Sequence, residues 1–524
     1  KVPGTAPIAS FHVRRHAWKR RGLQSGVMIL RSIVVVLVVV ASAACAPVQS
    51  PQPTRPNILL VVADDQGHWA CGPCGNSEIQ TPTMDRLAEE GTFFNNASSP
   101  SPVCSPARAS LLTGRLPSQH GIHDFLSETG ADERDWLDGE TLLPEILHDA
   151  GYFTSLVGKW HLSGSGRPPD GIFDRWLSYD VTPAGWRNQY LHRGPVHLLD
   201  DGEPVTVDGF QTAELTRSAI EIVERRPHDR PFFMLFAPTE THAPFEGHPE
   251  EWVERYRKAP FADIPRSESS PLPPSGPASV VPDDPTEMLA QYSAAVSAQD
   301  AWIGEILEAL ESTGELDETL VIVTSDHGHM NGHNGLVGKA NATLPQNLYD
   351  EVVRVPLVIR WPARLPGGVS TDLFVDHLDL FVTMLDAAGI DLDDDTRERI
   401  SSPGRSLLTA VDDPAVNWRR YRFTEHGNAR MVADERWKLV RRSPPLDPRF
   451  GDELYDLQTD PRETTNLIGD TASAGELSRL GAALDAYFAR YEDPEKSGTR
   501  VMELPPANGR EPWTRLAEKL SPPE

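Results

Sequence analysis

Cysteine is scarce: 524 residues hold four, so no dense disulfide framework carries this fold. Basic residues are short as well, with 49 Lys and Arg against 76 Asp and Glu and a formal net charge of −27. Seven of those basic residues fall within residues 1–44, which contain no acid, leaving 42 against 76 in the remainder. That deficit excludes a general nucleic-acid-binding surface, which needs a basic face to release counterions. It would also repel a polyanionic substrate unless the site carried its own positive charge. Beyond residue 45 no apolar run is long enough to span a bilayer. No internal repeat and no H-E-x-x-H zinc-protease helix is present. What remains is a chain 39% hydrophobic and 24% charged, ample for a large core and unlike a disordered tail. Its length suits roughly three domains at about 150 residues each, or one large α/β enzyme unit.

The N-terminal stretch has the order of a secretory signal. Met28 is the first methionine; Arg31 precedes the apolar run Ile33–Ala41, and Ser42-Ala43-Ala44-Cys45 follows. Residues 1–44 are therefore read as an export-signal region with an upstream extension. Small residues before Cys45 fit either a bacterial lipoprotein site or ordinary cleavage. Export places the protein in the periplasm, outside the cell, or lipid-anchored at the cell surface. In such an oxidising compartment Cys71-Gly-Pro-Cys74 is expected to form a local disulfide, which leaves Cys104 unpaired.

Asn57–Ala63 is a continuous apolar run ending in Asp64-Asp65, as expected of a strand buried on both faces of a parallel sheet. Similar runs recur at 154–158, 232–237, 320–324 and 355–361. Helical patterns alternate with them, the clearest from Met288 to Leu310. The prediction is an α/β fold with a large central, mostly parallel sheet flanked by helices. After about residue 400 the texture changes to short strands at 430–432, 437–440 and 453–457 and a helix near 475–491. We divide the chain into a catalytic domain over 55–400 and a smaller C-terminal α+β subdomain and tail over 401–524. Residues 260–285, rich in Pro and Ser, read as a surface excursion.

Polar residues cluster at the ends of these runs: Asp64 and Asp65, Lys159 and His161, His242, then Asp326 and His327. Open α/β sheets bind ligands beyond the carboxyl ends of their strands, so four strand ends deliver acids, imidazoles and an ammonium to one edge. One acid after a strand is usually a turn residue; four such placements together point to a site. The three aspartates are hard oxygen donors suited to calcium or magnesium. His329 and His333 follow close by, but a glycine-rich loop is expected to spread them away from a cluster. Pro106 suits the first turn of a helix beginning just after Cys104, whose N-terminus favours an anion. Arg108 would lie one turn further on.

Cys104-Ser105-Pro106-Ala107-Arg108, with Leu111-Leu112-Thr113-Gly114 behind it, resembles the signature of the type I sulfatases of the alkaline-phosphatase-like superfamily. The resemblance extends through Asp64-Asp65-Gln66-Gly67, Gly158-Lys159-Trp160-His161, Thr241-His242-Ala243-Pro244 and Ser325-Asp326-His327-Gly328. Gly338-Lys339, Arg354-Val355-Pro356-Leu357 and Glu453-Leu454-Tyr455-Asp456 continue it in order over roughly residues 55–470.

The resemblance implies that a formylglycine-generating enzyme converts Cys104 to formylglycine, whose hydrate attacks sulfur, expels the alcohol and then ejects sulfate. It implies a cation, Ca2+ or alternatively Mg2+, held by Asp64, Asp65, Asp326, His327 and the residue-104 oxygen. His327 stands where many members carry Asn. Arg108, Lys159 and Lys339 would neutralise the sulfate, His161 would act as base and His242 as donor to the leaving oxygen. The expected substrate is a sulfated small molecule or saccharide. A phosphonate or phosphodiester hydrolase of the same superfamily, or an inactive glycan-binding relative, is the alternative.

Overall fold

The apolar runs become strands because both of their faces find cover. In the computed structural model, which describes residues 55–127, 134–181, 192–264, 269–413 and 416–520, the first run is β1 (Asn57–Ala63). The signal pattern and Cys45 lie outside the described residues. Ile58, Leu60 and Val62 pack into one apolar cluster, and Leu59 and Val61 into another on the opposite face. Helix Cys104–Thr113 covers the first face and helix Thr286–Ser312 the second.

The strands that follow are β2 (Thr92–Ser98), β3 (Phe153–Gly158), β4 (Arg175–Tyr179), β5 (Val196–Asp200), β6 (Glu203–Val207), β7 (Phe232–Ala237) and β8 (Thr319–Ser325). A two-strand hairpin, β9 (Met330–Asn331) and β10 (Val337–Gly338), precedes β11 (Leu357–Arg360) and β12 (Val369–Asp376). Among the described residues the large sheet has ten strands, in the order β12-β2-β11-β8-β1-β7-β3-β4-β5-β6. Its centre, β8-β1-β7-β3-β4, is parallel throughout.

One predicted strand runs the other way. β11 pairs antiparallel with both β8 and β2. The chain leaves β8 at the carboxyl edge, wanders through residues 326–356 on that same side, and so re-enters the sheet from there. A parallel strand would have required a crossover back to the opposite edge.

The change of texture after residue 400 corresponds to a four-stranded antiparallel sheet: β13 (Arg422–His426), β14 (Ala429–Ala433), β15 (Trp437–Arg442) and β16 (Glu453–Asp456). Helix Ala474–Tyr491 lays Leu480, Leu484 and Phe488 against Val432, Leu439 and Leu454 of that sheet. Arg55–Glu524 nonetheless forms one compact unit. The Pro-rich excursion is pinned to the 335–344 loop, with Ser275 N–H donating to Ala342 O (2.7 Å) and Leu344 N–H to Pro273 O (3.0 Å). Cys71 and Cys74 are bridged. No helix among the described residues is long and apolar enough to cross a membrane.

Candidate active site

Four parallel strands end beside one another, and their next residues meet. Asp64 and Asp65 follow β1, Lys159 and His161 follow β3, His242 follows β7 by a short loop, and Asp326 and His327 follow β8. Two features let these ends close up. Gly158 has φ +113°, and a Cβ there would lie 2.2 Å from Ala237 O; at Gly328 a Cβ would lie 2.1 Å from Glu351 O. Asp65 (φ 69°) and His161 (φ 57°) occupy the left-handed region, a strained choice for non-glycine residues that tertiary contacts must hold. For Asp65 one such contact is its own N–H donating to Asp326 Oδ1 at 3.1 Å.

Cys104 is the first residue of its helix, one position earlier than the sequence suggested, with Val103 as N-cap and Pro106 third. Its thiol is almost fully buried. Lys339 Nζ donates to Sγ at 2.9 Å and to Asp65 Oδ1 at 2.7 Å, and His327 Nε2 lies 3.3 Å from Sγ. Arg108 turns toward the carboxylates behind the thiol: its guanidinium reaches Asp326 Oδ2 at 2.9 Å and donates to Lys159 O at 3.3 Å. Lys159 Nζ, fully buried, donates to Asp64 Oδ2 at 2.8 Å. Lys339, supported in the sequence by only a short motif, is thus the amine in contact with residue 104, while Lys159 serves the aspartate beyond it.

The imidazoles are oriented individually. His161 Nε2–H donates to Leu126 O (3.1 Å), which leaves Nδ1 as the proton-accepting nitrogen. His242 Nδ1–H donates to Ala243 O (2.6 Å), turning Nε2 toward Asp65 Oδ2 at 3.9 Å. Burial lowers His242 to about 4, against the pull of Asp65 and Asp64. Burial is the largest effect on His327 and works against its charge, but Asp326, Asp65 and Cys104 together overcome it and the repulsion of Lys339, raising this ring to about 9. Burial opposes ionisation of Asp64 and Asp65 too. Lys159 chiefly for the first and Lys339 chiefly for the second nevertheless hold both well below the usual carboxylate range.

The donor set fits a hard cation. Asp64, Asp65 and Asp326 each present an oxygen within 4.8 Å of the others, and Cys104, Asp326 and His327 converge in the same way. Asp64 Oδ1 is buried and accepts no hydrogen bond, although the Arg108 guanidinium lies 3.5 Å from it. Three converging carboxylates with an orphaned oxygen leave a coordination position that oxygen-seeking ions fill.

One residue set aside in the sequence belongs to the wall of this site. His329 Nε2 lies 3.9 Å from Asp65 Oδ2; its ring stacks on Tyr292 and meets Phe245 edge-on. The glycine-rich loop does not spread here, because β9–β10 pairing and these aromatic contacts fold it inward. His333 does point away, packing on Trp69. Tyr292 was missed as well: its hydroxyl donates to Asp65 O at 3.2 Å and accepts from Gly67 N–H at 3.0 Å. Its only sequence signal was membership of a buried helical face.

This arrangement of strand ends, buried cysteine and aspartate cluster defines a hydrolase of the alkaline-phosphatase-like kind. The sulfatase family model matches residues 56–390, and the model for the C-terminal part of N-sulphoglucosamine sulphohydrolase matches 345–488. The uncharacterized sulfatase YidJ of Escherichia coli is 30% identical over 84% of this chain and 89% of its own. An N-acetylglucosamine-6-O-sulfatase of Bacteroides thetaiotaomicron is 27% identical over 88% and 91% respectively. Among solved structures, BT4656 in complex with its substrate D-glucosamine-2-N,6-O-disulfate superposes with a TM-score of 0.71 at 24% identity, covering 84% of this chain and 99% of that one. The chain belongs to the sulfatase family and is a sulfuric ester hydrolase.

Proposed function

We propose that the protein is an exported sulfatase that hydrolyses a sulfate ester of a saccharide, using formylglycine made from Cys104 and a bound Ca2+, with Mg2+ the other hard ion that suits the site. The observation that carries this reading is the burial of Cys104 at a helix start, against Lys339 and beside three converging aspartates. When present, formylglycine supplies a hydroxyl nucleophile and the cation polarises sulfate oxygens. Asp64, Asp65, Asp326 and His327 would hold the cation.

The chain's own residues do the rest. Lys339 places fixed positive charge at the sulfate, the local attraction that the acidic surface lacks; Lys159, on Asp64, and Arg108, on Asp326, add to that field from behind. His161, with Nδ1 as acceptor, takes the proton that lets sulfate leave. His242, kept neutral by burial, takes up a proton as the anionic substrate enters and donates it to the departing oxygen. A saccharide is favoured because the similar N-acetylglucosamine-6-O-sulfatase is named for one. Export rests on the Met28–Cys45 pattern, with either a lipid anchor at Cys45 or simple cleavage.

The test uses protein matured with a formylglycine-generating enzyme. Peptide mass analysis should find the aldehyde at position 104. Sulfate should be released from 6-O-sulfated glucosamines and aryl sulfates, and chelation should stop release until calcium is restored. Full turnover with an intact Cys104 thiol, undiminished turnover of metal-free protein, or faster turnover of an aryl phosphonate would each overturn the reading.

A further inference from the structure

The small sheet touches more of the active site than its position suggests. At the end of β13, Thr424 Oγ1 donates to Ser99 O (2.8 Å) and Glu425 N–H to Pro100 O (2.9 Å), on the segment leading into Cys104. His426 Nε2 lies 3.5 Å from Asp124, in the loop whose Leu126 carbonyl orients His161. A third contact comes from Gln346, whose Nε2 donates to His426 O and to Asn428 Oδ1, both at 2.9 Å.

Gln346 lies at the end of the loop that carries Lys339, and its neighbour Asn347 folds back on that loop. Asn347 Nδ2 donates to Ala340 O at 3.0 Å and lies 3.3 Å from both Lys339 O and Thr343 Oγ1. Its backbone N–H also donates to Ala340 O at 3.0 Å. Both side chains are fully buried. The outer side of the loop is held separately by the 273–281 excursion, so Gln346 and Asn347 form its inner attachment.

We infer that Gln346 and Asn347 are positioning residues for Lys339: Asn347 sets the turn from which the amine projects, and Gln346 fastens that turn to residues 426–428 of the small sheet. The inference rests on the reading of Lys339 as the sulfate-facing amine. A lysine is a point charge on a flexible stem, so its place at residue 104 depends on where its backbone is held. A displacement of about 1 Å in a positioned group costs up to about 10²-fold in rate.

The experiment compares matured wild type with Gln346→Met, which keeps length and apolar volume but loses the donor, and with Asn347→Ser. Each should lower kcat/KM about 10- to 100-fold on aryl sulfates, with the melting temperature little changed for Gln346→Met. In a Lys339→Ala background the same substitutions should cost less than about threefold, because the group they position is gone. A general structural role would instead give an equal factor in both backgrounds, and that result overturns the inference. So does Gln346→Met turnover within about twofold of wild type. A crystal structure of Gln346→Met gives a readout independent of activity: Lys339 Nζ should leave Asp65 Oδ1 and residue 104. If the amine stays in place, the inference is wrong whatever the turnover. If it moves in a protein that releases no sulfate, the positioning stands and the sulfatase mechanism is what has failed.

Discussion

Two clusters of buried charge flank the segment from Asp326 to Arg354, and they follow opposite plans. In the one at the small sheet, Arg422 donates to both oxygens of Asp350 at 2.6 Å. Lys438 Nζ bridges Asp350 and Glu463 at 2.9 Å, and Glu463 also accepts the Asp350 N–H at 2.7 Å. There the cations Arg422 and Lys438 lie against the carboxylates, although burial still raises Glu463 to about 8. In the other cluster Asp64, Asp65 and Asp326 converge on one another while pairing with Lys159, Lys339 and Arg108, and Asp64 Oδ1 accepts no hydrogen bond, with Arg108 Nη2 3.5 Å away. Mutual pairing makes a buried charge part of the framework; convergence of like charges makes it a site, at some cost to stability.

The largest separation of the two plans should come from Cys104→Ala. Removing the residue from which the nucleophile is made should abolish turnover while leaving the melting temperature within a few degrees of wild type. Cys104→Ser should at most leave a sulfated, dead-end protein, visible by mass analysis. Measurable turnover by Cys104→Ala would remove residue 104 from the chemistry. The reciprocal break is Lys438→Ala. It leaves two buried carboxylates without their shared cation and should destabilise by about 3–5 kcal/mol in urea melts. Turnover per folded molecule at low temperature should be nearly unchanged. A loss under about 1 kcal/mol would mean that the paired cluster is not part of the framework.

The two plans were unequally legible in the sequence. The convergent cluster could be read because each member follows an apolar run, and the period of such runs is visible locally. Asp64, Lys159, His242 and Asp326 therefore fell where expected, as did helix Thr286–Ser312 and three of the four strands of the small sheet, β14, β15 and β16. The direction of β11 was hidden, because a run buried on both faces looks the same in either direction. Strands β2, β4, β5, β6, β12 and β13 gave no signal, being short or carrying polar and exposed positions. His329 was misjudged from its glycines. The attachments of Gln346 join residues 80 and 82 apart, a relation no local pattern encodes. The paired cluster is invisible for the same reason: Asp350, Arg422, Lys438 and Glu463 meet only in the folded chain.

Glu240 gives the finest test, because it lies two residues from His242 and yet belongs to the framework. Its side chain is fully buried; Thr212 Oγ1 donates to Oε2, and Oε1 accepts nothing. Burial raises its carboxyl to about 8, whereas an unfolded chain would titrate near 4.3. Between those values the native state holds a proton that the unfolded state has released. Stability from this group is therefore complete below about pH 4.3 and is lost as pH rises through about 8. Glu240→Gln keeps the shape and cannot ionise. Its melting temperature should match wild type near about pH 4 and exceed it by a margin that grows as pH rises toward about 8.5. The difference between the two curves isolates Glu240 from the other buried carboxyls, which both proteins share. Turnover at pH 6, where wild-type Glu240 is already neutral, should stay within about threefold. Parallel melting curves across this range would show that Glu240 carries no such proton. A large loss of turnover at pH 6 would instead move Glu240 from the framework into the site.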